Sequence, residues 1–358
     1  MASKEPHRLI VVGASAGGVS ALVQFVGGLS PTLPAAVLVV LHVPANARSV
    51  LPEILDRAGP LPAAHPRDRE PIVAGQIYVA PPNRHLVVDE AVIRVTNGPW
   101  ENGHRPSIDV LFRSTALWYG TRAIGALLSG ALSDGAAGLA SLASRGAVTF
   151  VQDPEEAEVP DMPRHALEST PTAHALPITG IVEQINRLAR QPVPVASPVD
   201  DSVARAELDV ETGHPRRPER IGTPAGLGCP NCGGSLFEVD DASALRYRCR
   251  VGHGWTADGF ANAHAEELEE ALWVAIRILE DDEALQERLA QRAAGAGFAN
   301  ALERATTRQE GHRRLIRSLR TAVNHLGDGE DEVIEEALPE NGNGAAQQSA
   351  TEQHAHGT

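Results

Sequence analysis

The chain has 358 residues, of which 42% are hydrophobic and only 4% aromatic. This length predicts more than one domain, and the composition predicts an aliphatic core. A formal net charge of −15 argues against a protein that binds nucleic acid or an anionic membrane surface. The N-terminus is polar, and no apolar run reaches the ~18 residues of a membrane span. The three cysteines lie in one short segment, which fits a reducing compartment better than a disulfide framework, so we expect a cytoplasmic protein without membrane insertion.

Residues 9–190 alternate between short apolar runs and helical patterns. The runs are "LIVVG", "AAVLVVLHV", "QIYVAP" and "AIGALLSG", and helical patterns occupy residues 19–28, 49–58 and 108–119. Buried strands that alternate with helices predict βαβ units, an α/β fold and a parallel sheet. The stretch "GQIYVAPPNRHLVVDEAVIRVTN" alternates more strictly, which predicts an antiparallel excursion at the edge of that sheet.

Four segments follow this α/β domain, which we assign to residues 1–190. Residues 191–228 contain many prolines and little periodicity, which predicts a linker. Residues 229–262 carry a Cys/His pattern, and residues 263–326 carry a helical pattern that is interrupted at 295–297. Residues 327–358 are acidic and then rich in Asn, Gly and Gln, which predicts a disordered tail.

A serine lies between glycines where the first predicted strand meets the first predicted helix. The motif Gly13-Ala-Ser15-Ala-Gly17 matches the G-x-S-x-G turn, which exposes a nucleophilic hydroxyl at the edge of a sheet. A phosphate-binding turn, or merely a tight turn, would also use these glycines. The full G-x-G-x-x-G spacing and the Walker Gly-Lys-Ser/Thr are both absent. The motif alone therefore leaves catalysis and anion binding open.

A nucleophilic serine needs a base and a group that orients the base. His42 ends the second buried run, and Asp134 lies in a glycine-bounded loop after a later one. Taken singly, His42 could be a core histidine, and Asp134 could be the N-cap of the next helix. Because parallel strands end at a common edge of their sheet, Ser15, His42 and Asp134 together favour a Ser-His-Asp site.

Five blocks of this region resemble, in order, the catalytic domain of the CheB chemotaxis methylesterase family. They are "VVGASAGGVSAL", "LHVPANARSVLPEIL", "GQIYVAPPNRHL", "HRPSIDVLFRSTA" and "LLSGALSDGAAGLASLASRGAVTFVQDPEEAEVPDMPRHAL". The resemblance implies a doubly wound α/β fold. It also implies hydrolysis of glutamate γ-methyl esters on methylated chemoreceptor-type proteins, with glutamine deamidation in some members. It places the nucleophile at Ser15, the base at His42 and the orienting carboxylate at Asp134.

Backbone N–H groups near Ala16 and Ala131 are expected to stabilise the oxyanion. Many family members begin with a receiver domain, but only residues 1–8 precede the first predicted strand, so we expect that control to be missing. The sequence also departs from the family at Ala16, a position that is often polar, and at 131–133, where Met-Gly is common. The whole chain is similar to a subgroup that carries a C-terminal Cys/His segment and helices.

Three cysteines and a histidine follow the predicted linker with the spacing of zinc ligands. They are Cys229-x₂-Cys232 and Cys249-x₃-His253, separated by sixteen residues. A hairpin that pairs residues 235–237 with 247–249 would bring the two halves together around tetrahedral Zn²⁺. Because four protein ligands close the site, we predict a structural zinc in a zinc-ribbon-like module and no cofactor for catalysis. Three free cysteines and a surface histidine are the alternative.

The last helical segment has an apolar stripe and an acidic face. The stripe comprises Leu268, Leu272, Ala275, Ile276 and Leu279, and it predicts a helical hairpin or self-association. The acidic face is predicted to be solvated, with partner docking as the alternative. An adaptor that binds a ligand at the glycine turn and recruits partners through the zinc module and helices is the alternative to an esterase.

Overall fold

The computed structural model describes residues 7–193, 202–213, 222–239 and 244–327. These residues fall into two compact units that divide between Leu268 and Glu269. Within these ranges, no helix is both long and apolar enough to span a bilayer. The tail predicted over 327–358 lies outside the described residues apart from Gly327, so its disorder stays a prediction.

Ten strands and six α-helices form the N-terminal part of the first unit. The strands are β1 (Arg8–Ala14), β2 (Ala35–Leu41), β3 (Ala63–Ala64), β4 (Glu70–Pro71), β5 (Ile77–Val79), β6 (His85–Asp89), β7 (Val92–Thr96), β8 (Ala123–Leu127), β9 (Val148–Gln152) and β10 (His174–Leu176). The helices are α1 (Gly18–Gly27), α2 (Leu51–Ala58), α3 (Ile108–Tyr119), α4 (Ala136–Ser144), α5 (Asp161–Ser169) and α6 (Ile178–Leu188).

Seven of these strands form one parallel sheet in the order β10-β9-β8-β1-β2-β5-β3. Successive residues of a strand point to opposite faces, so Ile10 and Val12 of β1 join a core with α1 and α6, whereas Leu9 and Val11 join a core with α3 and α4. Because both faces are covered, β1 is apolar throughout its centre. The doubly wound α/β fold is therefore confirmed.

The order in which the chain adds strands to the parallel sheet reverses between β1 and β8. After β1 the chain moves to β2 on one side, and it later returns to place β8 on the other side of β1. In such sheets the crevice beyond the carboxyl ends of the strands at the reversal is the usual ligand site. Ser15 follows β1 at this crevice, and the loop that carries Asp134 follows β8.

The predicted antiparallel excursion is confirmed, but its place in the fold differs from the prediction. Strand β5 belongs to the parallel sheet, whereas β6 and β7 form a separate three-stranded antiparallel sheet with β4. Leu86, Val88 and Ile93 of that sheet are buried in the same core as Phe112 of α3. The small sheet therefore covers α3 and does not extend the edge of the large sheet.

The first unit continues with a helix and a second antiparallel sheet. Helix α7 (Ser202–Glu211) precedes β11 (Gly222–Gly228), β12 (Ser235–Val239), β13 (Arg246–Cys249) and β14 (Gly254–Thr256), which pair in that order. Leu236 pairs with Cys249 and Phe237 with Arg248, as the predicted hairpin requires. The stretch predicted as a linker, 191–228, thus contains α7 and β11. Their sequences gave no apolar periodicity, because α7 buries Glu207 and Glu211 and β11 contains three glycines.

Helix α8 (Ala257–Ala296) and helix α9 (Ala299–Gly327) complete the described chain. In the second unit Leu272, Ile276 and Leu279 pack against Ile316, Leu319 and Val323, so the apolar stripe makes the predicted helical hairpin. Self-association through this stripe stays a prediction. Three residues of the acidic face pair with arginines of α9, so this face is not merely solvated: Glu280–Arg320, Asp282–Arg308 and Glu283–Arg313.

Candidate active site

Ser15 lies in the tight turn between β1 and α1. Its backbone N–H donates to Ser129 O at 2.9 Å, which ties the turn to the end of β8. Gly17 has φ of 71°, and a Cβ there would lie 2.7 Å from Ser129 Oγ. Glycine is therefore required at this position, both for its backbone angle and for the space it leaves. The turn keeps the Ser15 side chain at the crevice and only partly buried.

Ser15, His42 and Asp134 form a continuous chain of hydrogen bonds. His42 Nδ1 lies 3.1 Å from Ser15 Oγ, and His42 Nε2 lies 2.8 Å from Asp134 Oδ2. Because a carboxylate only accepts, Nε2 carries the proton and Nδ1 is free to accept the Ser15 hydroxyl proton. The structure thus brings together the three residues that the sequence analysis selected from three separate strand ends.

Asp134 is buried and held by donors from several elements. Oδ2 also accepts from the Ile108 N–H at 2.7 Å, at the start of α3, and Oδ1 accepts from Ser107 Oγ at 2.9 Å. Burial raises the pKa of Asp134, but the hydrogen bond and charge of His42 outweigh it and hold the pKa well below its usual range. Asp134 is therefore an ionised acceptor, and it does not cap α4, whose N-cap is Gly135.

A second group of residues, which the sequence patterns did not indicate, lies in a turn beside the site. Glu101-Asn-Gly-His104 is a two-residue hairpin turn, with φ of 50° at Asn102 and 73° at Gly103. The His104 ring stacks on His42 with centroids 3.8 Å apart, and Asn102 Nδ2 donates to Asp134 Oδ1 at 3.1 Å. Burial and then the charge of His42 lower the pKa of His104 to about 4, so the stacked ring is neutral at neutral pH. The Asn-Gly dipeptide was the available signal for this turn.

Two backbone amides at the crevice are candidates for the oxyanion site. The N–H groups of Ser15 and Gly130 are already used, since they donate to Ser129 O and Val159 O. In the described chain, no backbone carbonyl accepts a hydrogen bond from the N–H of Ala16 or Ala131. The N–H groups of Ala16 and Ala131 could therefore bind an oxyanion without breaking a hydrogen bond to a backbone carbonyl.

A family model described as CheB methylesterase matches residues 10–185. A Leptospira interrogans protein named "Putative protein-glutamate methylesterase/protein-glutamine glutaminase" is 36% identical over 183 residues, which are 51% of this chain and 95% of that protein. The chain belongs to the CheB methylesterase family.

Two further relatives are longer than their match to this chain. Proteins named "Protein-glutamate methylesterase/protein-glutamine glutaminase" from Hydrogenovibrio crunogenus and Symbiobacterium thermophilum are 34% and 37% identical over 53% and 51% of this chain. The chain spans about half the length of these two relatives, 51% in each case. The crystal structure of the Thermotoga maritima CheB methylesterase catalytic domain is 26% identical, with a TM-score of 0.48 over 51% of this chain and 98% of that one.

Four side chains that could bind a metal ion lie close together beyond the residues that match the CheB family. The ligand atoms of Cys229, Cys232, Cys249 and His253 all lie within 4.8 Å of one another. Cys232 Sγ is 3.8 Å from Cys249 Sγ, and His253 Nδ1 is 3.6 Å from Cys249 Sγ and 3.7 Å from Cys229 Sγ. Zinc bonds to sulfur and nitrogen imply tetrahedron edges of roughly 3.5–3.8 Å. These three distances thus agree with tetrahedral ligation, and the four side chains could hold a metal ion.

Proposed function

We propose that this CheB-family chain hydrolyses γ-methyl esters of glutamate side chains in methylated chemoreceptor-type proteins. The observation that carries the proposal is the continuous hydrogen-bond chain from Ser15 Oγ through His42 to Asp134. A purely adaptor role would not require an ionised carboxylate, an oriented imidazole and a hydroxyl in one line. The relatives' names add glutamine amide hydrolysis, which the same groups would catalyse with ammonia as the leaving group. A cytoplasmic location is part of this proposal.

In the proposed reaction each of the three residues has a defined role. Ser15 Oγ attacks the ester carbonyl while His42 Nδ1 takes its proton, and the N–H groups of Ala16 and Ala131 bind the oxyanion. His42 then returns the proton to the methoxy oxygen, methanol leaves, and Ser15 remains as an acyl ester. A water that loses a proton to the same Nδ1 attacks this ester. His42 then returns that proton to Ser15 Oγ as the acyl bond breaks, which releases glutamate and the free serine. Asp134 accepts from Nε2 throughout and stabilises the imidazolium that forms in each half.

This function is tested by incubating the protein with receptor fragments whose glutamates are methyl-esterified. We expect methanol release that stops after treatment with a fluorophosphonate, and peptide mapping that places one phosphonate adduct on Ser15, because only an activated hydroxyl reacts. Fragments with free glutamates are the control for methanol from other sources. A folded protein that neither releases methanol nor takes up the probe would leave the adaptor as the better account.

We also propose that Cys229, Cys232, Cys249 and His253 hold one structural zinc ion. The donor set fits, and Trp255 Nε1 donates to Cys229 Sγ at 3.5 Å, an outer hydrogen bond of the kind that supports a thiolate ligand. Bound zinc would cross-link the turn between β11 and β12 to the end of β13 and the turn that follows it, in a sheet whose own core is small. The site is closed by four protein ligands, so it supplies stability and leaves the chemistry to Ser15.

Removal of one ligand is expected to remove the metal. Metal analysis should find about one zinc per chain in the wild type and nearly none in Cys229→Ser, because three ligands bind far more weakly than four. His264→Ala is the matched control, since this exposed histidine near the cluster is not one of the four ligands. Equal zinc content in wild type and Cys229→Ser would contradict the site.

A further inference from the structure

Asn102 connects the Asp134 carboxylate to the sheet that carries the cysteine cluster. Its Nδ2 donates to Asp134 Oδ1 at 3.1 Å and to Asp109 Oδ2 at 3.0 Å. Its Oδ1 accepts from the backbone N–H of Thr256 at 2.7 Å and from Thr256 Oγ1 at 3.2 Å. Both hydrogens of the amide are donated and its oxygen accepts twice, so every hydrogen-bonding group of this buried side chain is used.

The contact with Thr256 determines which way the amide faces. A backbone N–H can only donate, so it requires the oxygen of Asn102 and directs Nδ2 toward the two carboxylates. The opposite orientation would set two donors against each other and an oxygen against two acidic groups. Strand β14 therefore selects the amide orientation that supplies Asp134 with its donor.

Backbone contacts hold the whole turn on the same strand. The Asn102 N–H donates to Gly254 O at 2.9 Å, and the Gly254 N–H donates to Trp100 O at 3.1 Å. Glu101 forms a parallel bridge with Gly254, and Arg248 Nη2 donates to Glu101 Oε2 at 3.0 Å. Through this turn, β14 also holds His104 against His42.

We propose that Asn102 is a positioning residue for the triad, and that Thr256 of the Cys/His module holds it in place. The inference rests on the proposed esterase function. It makes the appended module, which lies outside the family match, a structural part of the active site.

The titratable groups around Asp134 explain why one more donor matters. His42 is hydrogen-bonded to Asp134, His104 stacks on His42, and Asp109 at the start of α3 accepts from the same Asn102 amide. Burial, and then the charge of Asp134, raise the pKa of Asp109 well above its usual range. The amide bonds to both carboxyl groups, and with Ser107 and Ile108 it keeps the Asp134 oxygens directed at His42.

Two substitutions separate the parts of this inference. Asn102→Ala removes the donor, and Thr256→Pro removes the N–H that orients it; β14 is an edge strand of its sheet, where proline is tolerated. For each we expect kcat for methyl-ester hydrolysis to fall about 10- to 100-fold with little change in KM, since a hydrogen bond to a charged group is lost. Thr256→Val keeps the backbone N–H, so its kcat should fall less than that of Thr256→Pro. The double variant should resemble the single ones, because both act through one contact.

A readout without substrate accompanies the kinetics. The proton that His42 Nε2 donates to Asp134 should give a downfield ¹H NMR resonance in the wild type, and this resonance should shift in Asn102→Ala and Thr256→Pro. Asn186→Ala is the matched control. The Asn186 side chain is hydrogen-bonded to the backbone of Gly28 and Ser30, which lie outside the triad and its neighbours. A general loss of stability would lower the melting temperature without moving the resonance.

The outcomes distinguish this inference from the proposed function. If the wild type releases no methanol, the esterase proposal fails, and the resonance alone decides whether Asn102 orients Asp134. If the wild type is active and folded Asn102→Ala keeps its kcat and its resonance, the positioning role is wrong. If only folded Thr256→Pro keeps both, the role of the module is wrong.

Discussion

Ser15→Ala is expected to lower kcat for methyl-ester hydrolysis by a factor on the order of 10³–10⁶. The hydroxyl is the only group of Ser15 that the proposed reaction uses, and no covalent intermediate forms without it. KM should change little, because alanine leaves the crevice walls and the two oxyanion amides in place. Activity that remains above the uncatalysed rate would come from those amides and from substrate binding. The measurement is steady-state methanol release at saturating esterified fragment.

The interpretation of this variant depends on two comparisons. Ser20→Ala, an exposed serine of α1, should keep wild-type kcat and show that loss of a serine near the turn is harmless. The pair Ser15→Ala and His42→Ala should lose no more together than singly, because each group acts only through the other. A Ser15→Ala protein within tenfold of the wild type would show that another nucleophile does the chemistry.

The α/β domain and the triad could be predicted because both follow from regular strand ends. The apolar run of β1 is buried on both faces, and its pattern located the strand almost to the residue. Since parallel strands end at one edge, residues in the loops that follow β1, β2 and β8 lie together at that edge. Ser15, His42 and Asp134 are such residues, so their convergence followed from topology.

The residues around the triad could not be found in this way. Asn102 and His104 come from a hairpin turn whose position depends on tertiary contacts with β14, and no local period places that turn beside His42. The Asn-Gly pair indicated a turn but not its neighbours. The partner Thr256 is separated from Asn102 by 154 positions, so only the folded chain shows the contact.

Helix α7 was missed because its buried face is charged. Glu207 and Glu211 are 4% and 3% exposed, and the arginines that pair with them are buried as well. Hydrophobic periodicity detects helices that bury apolar side chains, whereas the buried residues of α7 are these two glutamates and the small Ala206. The burial of Arg246 and Arg248 in β13 could not be predicted for the same reason. These arginines alternate with Tyr247 and Cys249, and such a pattern is typical of a strand whose charged face is exposed to solvent.

Arg248→Ala is expected to destabilise the first unit by about 3–5 kcal/mol, because it leaves buried carboxylates without a partner. Arg248 is 1% exposed. Its Nη2 donates to Glu101 at 3.0 Å and Glu207 at 3.2 Å, and its Nη1 donates to Glu211 at 3.0 Å. One guanidinium thus joins the catalytic domain, α7 and the Cys/His module. The free energy of unfolding by urea, followed by tryptophan fluorescence and circular dichroism, measures the loss.

The pH dependence identifies the cause of that loss. In the wild type, burial raises the pKa of Glu207, but the charges of Arg246 and Arg113 outweigh it and hold the pKa well below its usual range. A carboxylate with a depressed pKa stabilises the fold above its unfolded pKa of about 4.3 and loses that contribution as pH falls. Without Arg248 the pKa values of the neighbouring glutamates rise, so these groups take up protons in the folded variant as pH falls. The difference in unfolding free energy between variant and wild type should therefore become smaller in acid.

A surface ion pair provides the contrast. Arg94 lies 2.9 Å from Asp68 and 3.6 Å from Asp89, but these carboxylates are 45% and 34% exposed, so Arg94→Ala should cost about 1 kcal/mol or less. If Arg248→Ala costs no more than Arg94→Ala, the buried network does not hold the module on the catalytic domain. Arg248→Ala is expected to cost several times more than Arg94→Ala, and the difference in unfolding free energy from the wild type is expected to become smaller in acid. In that case the ion pair of Arg248 with Glu101 also stabilises the turn on which Asn102 and His104 lie. The same variant should then lower kcat as well as stability.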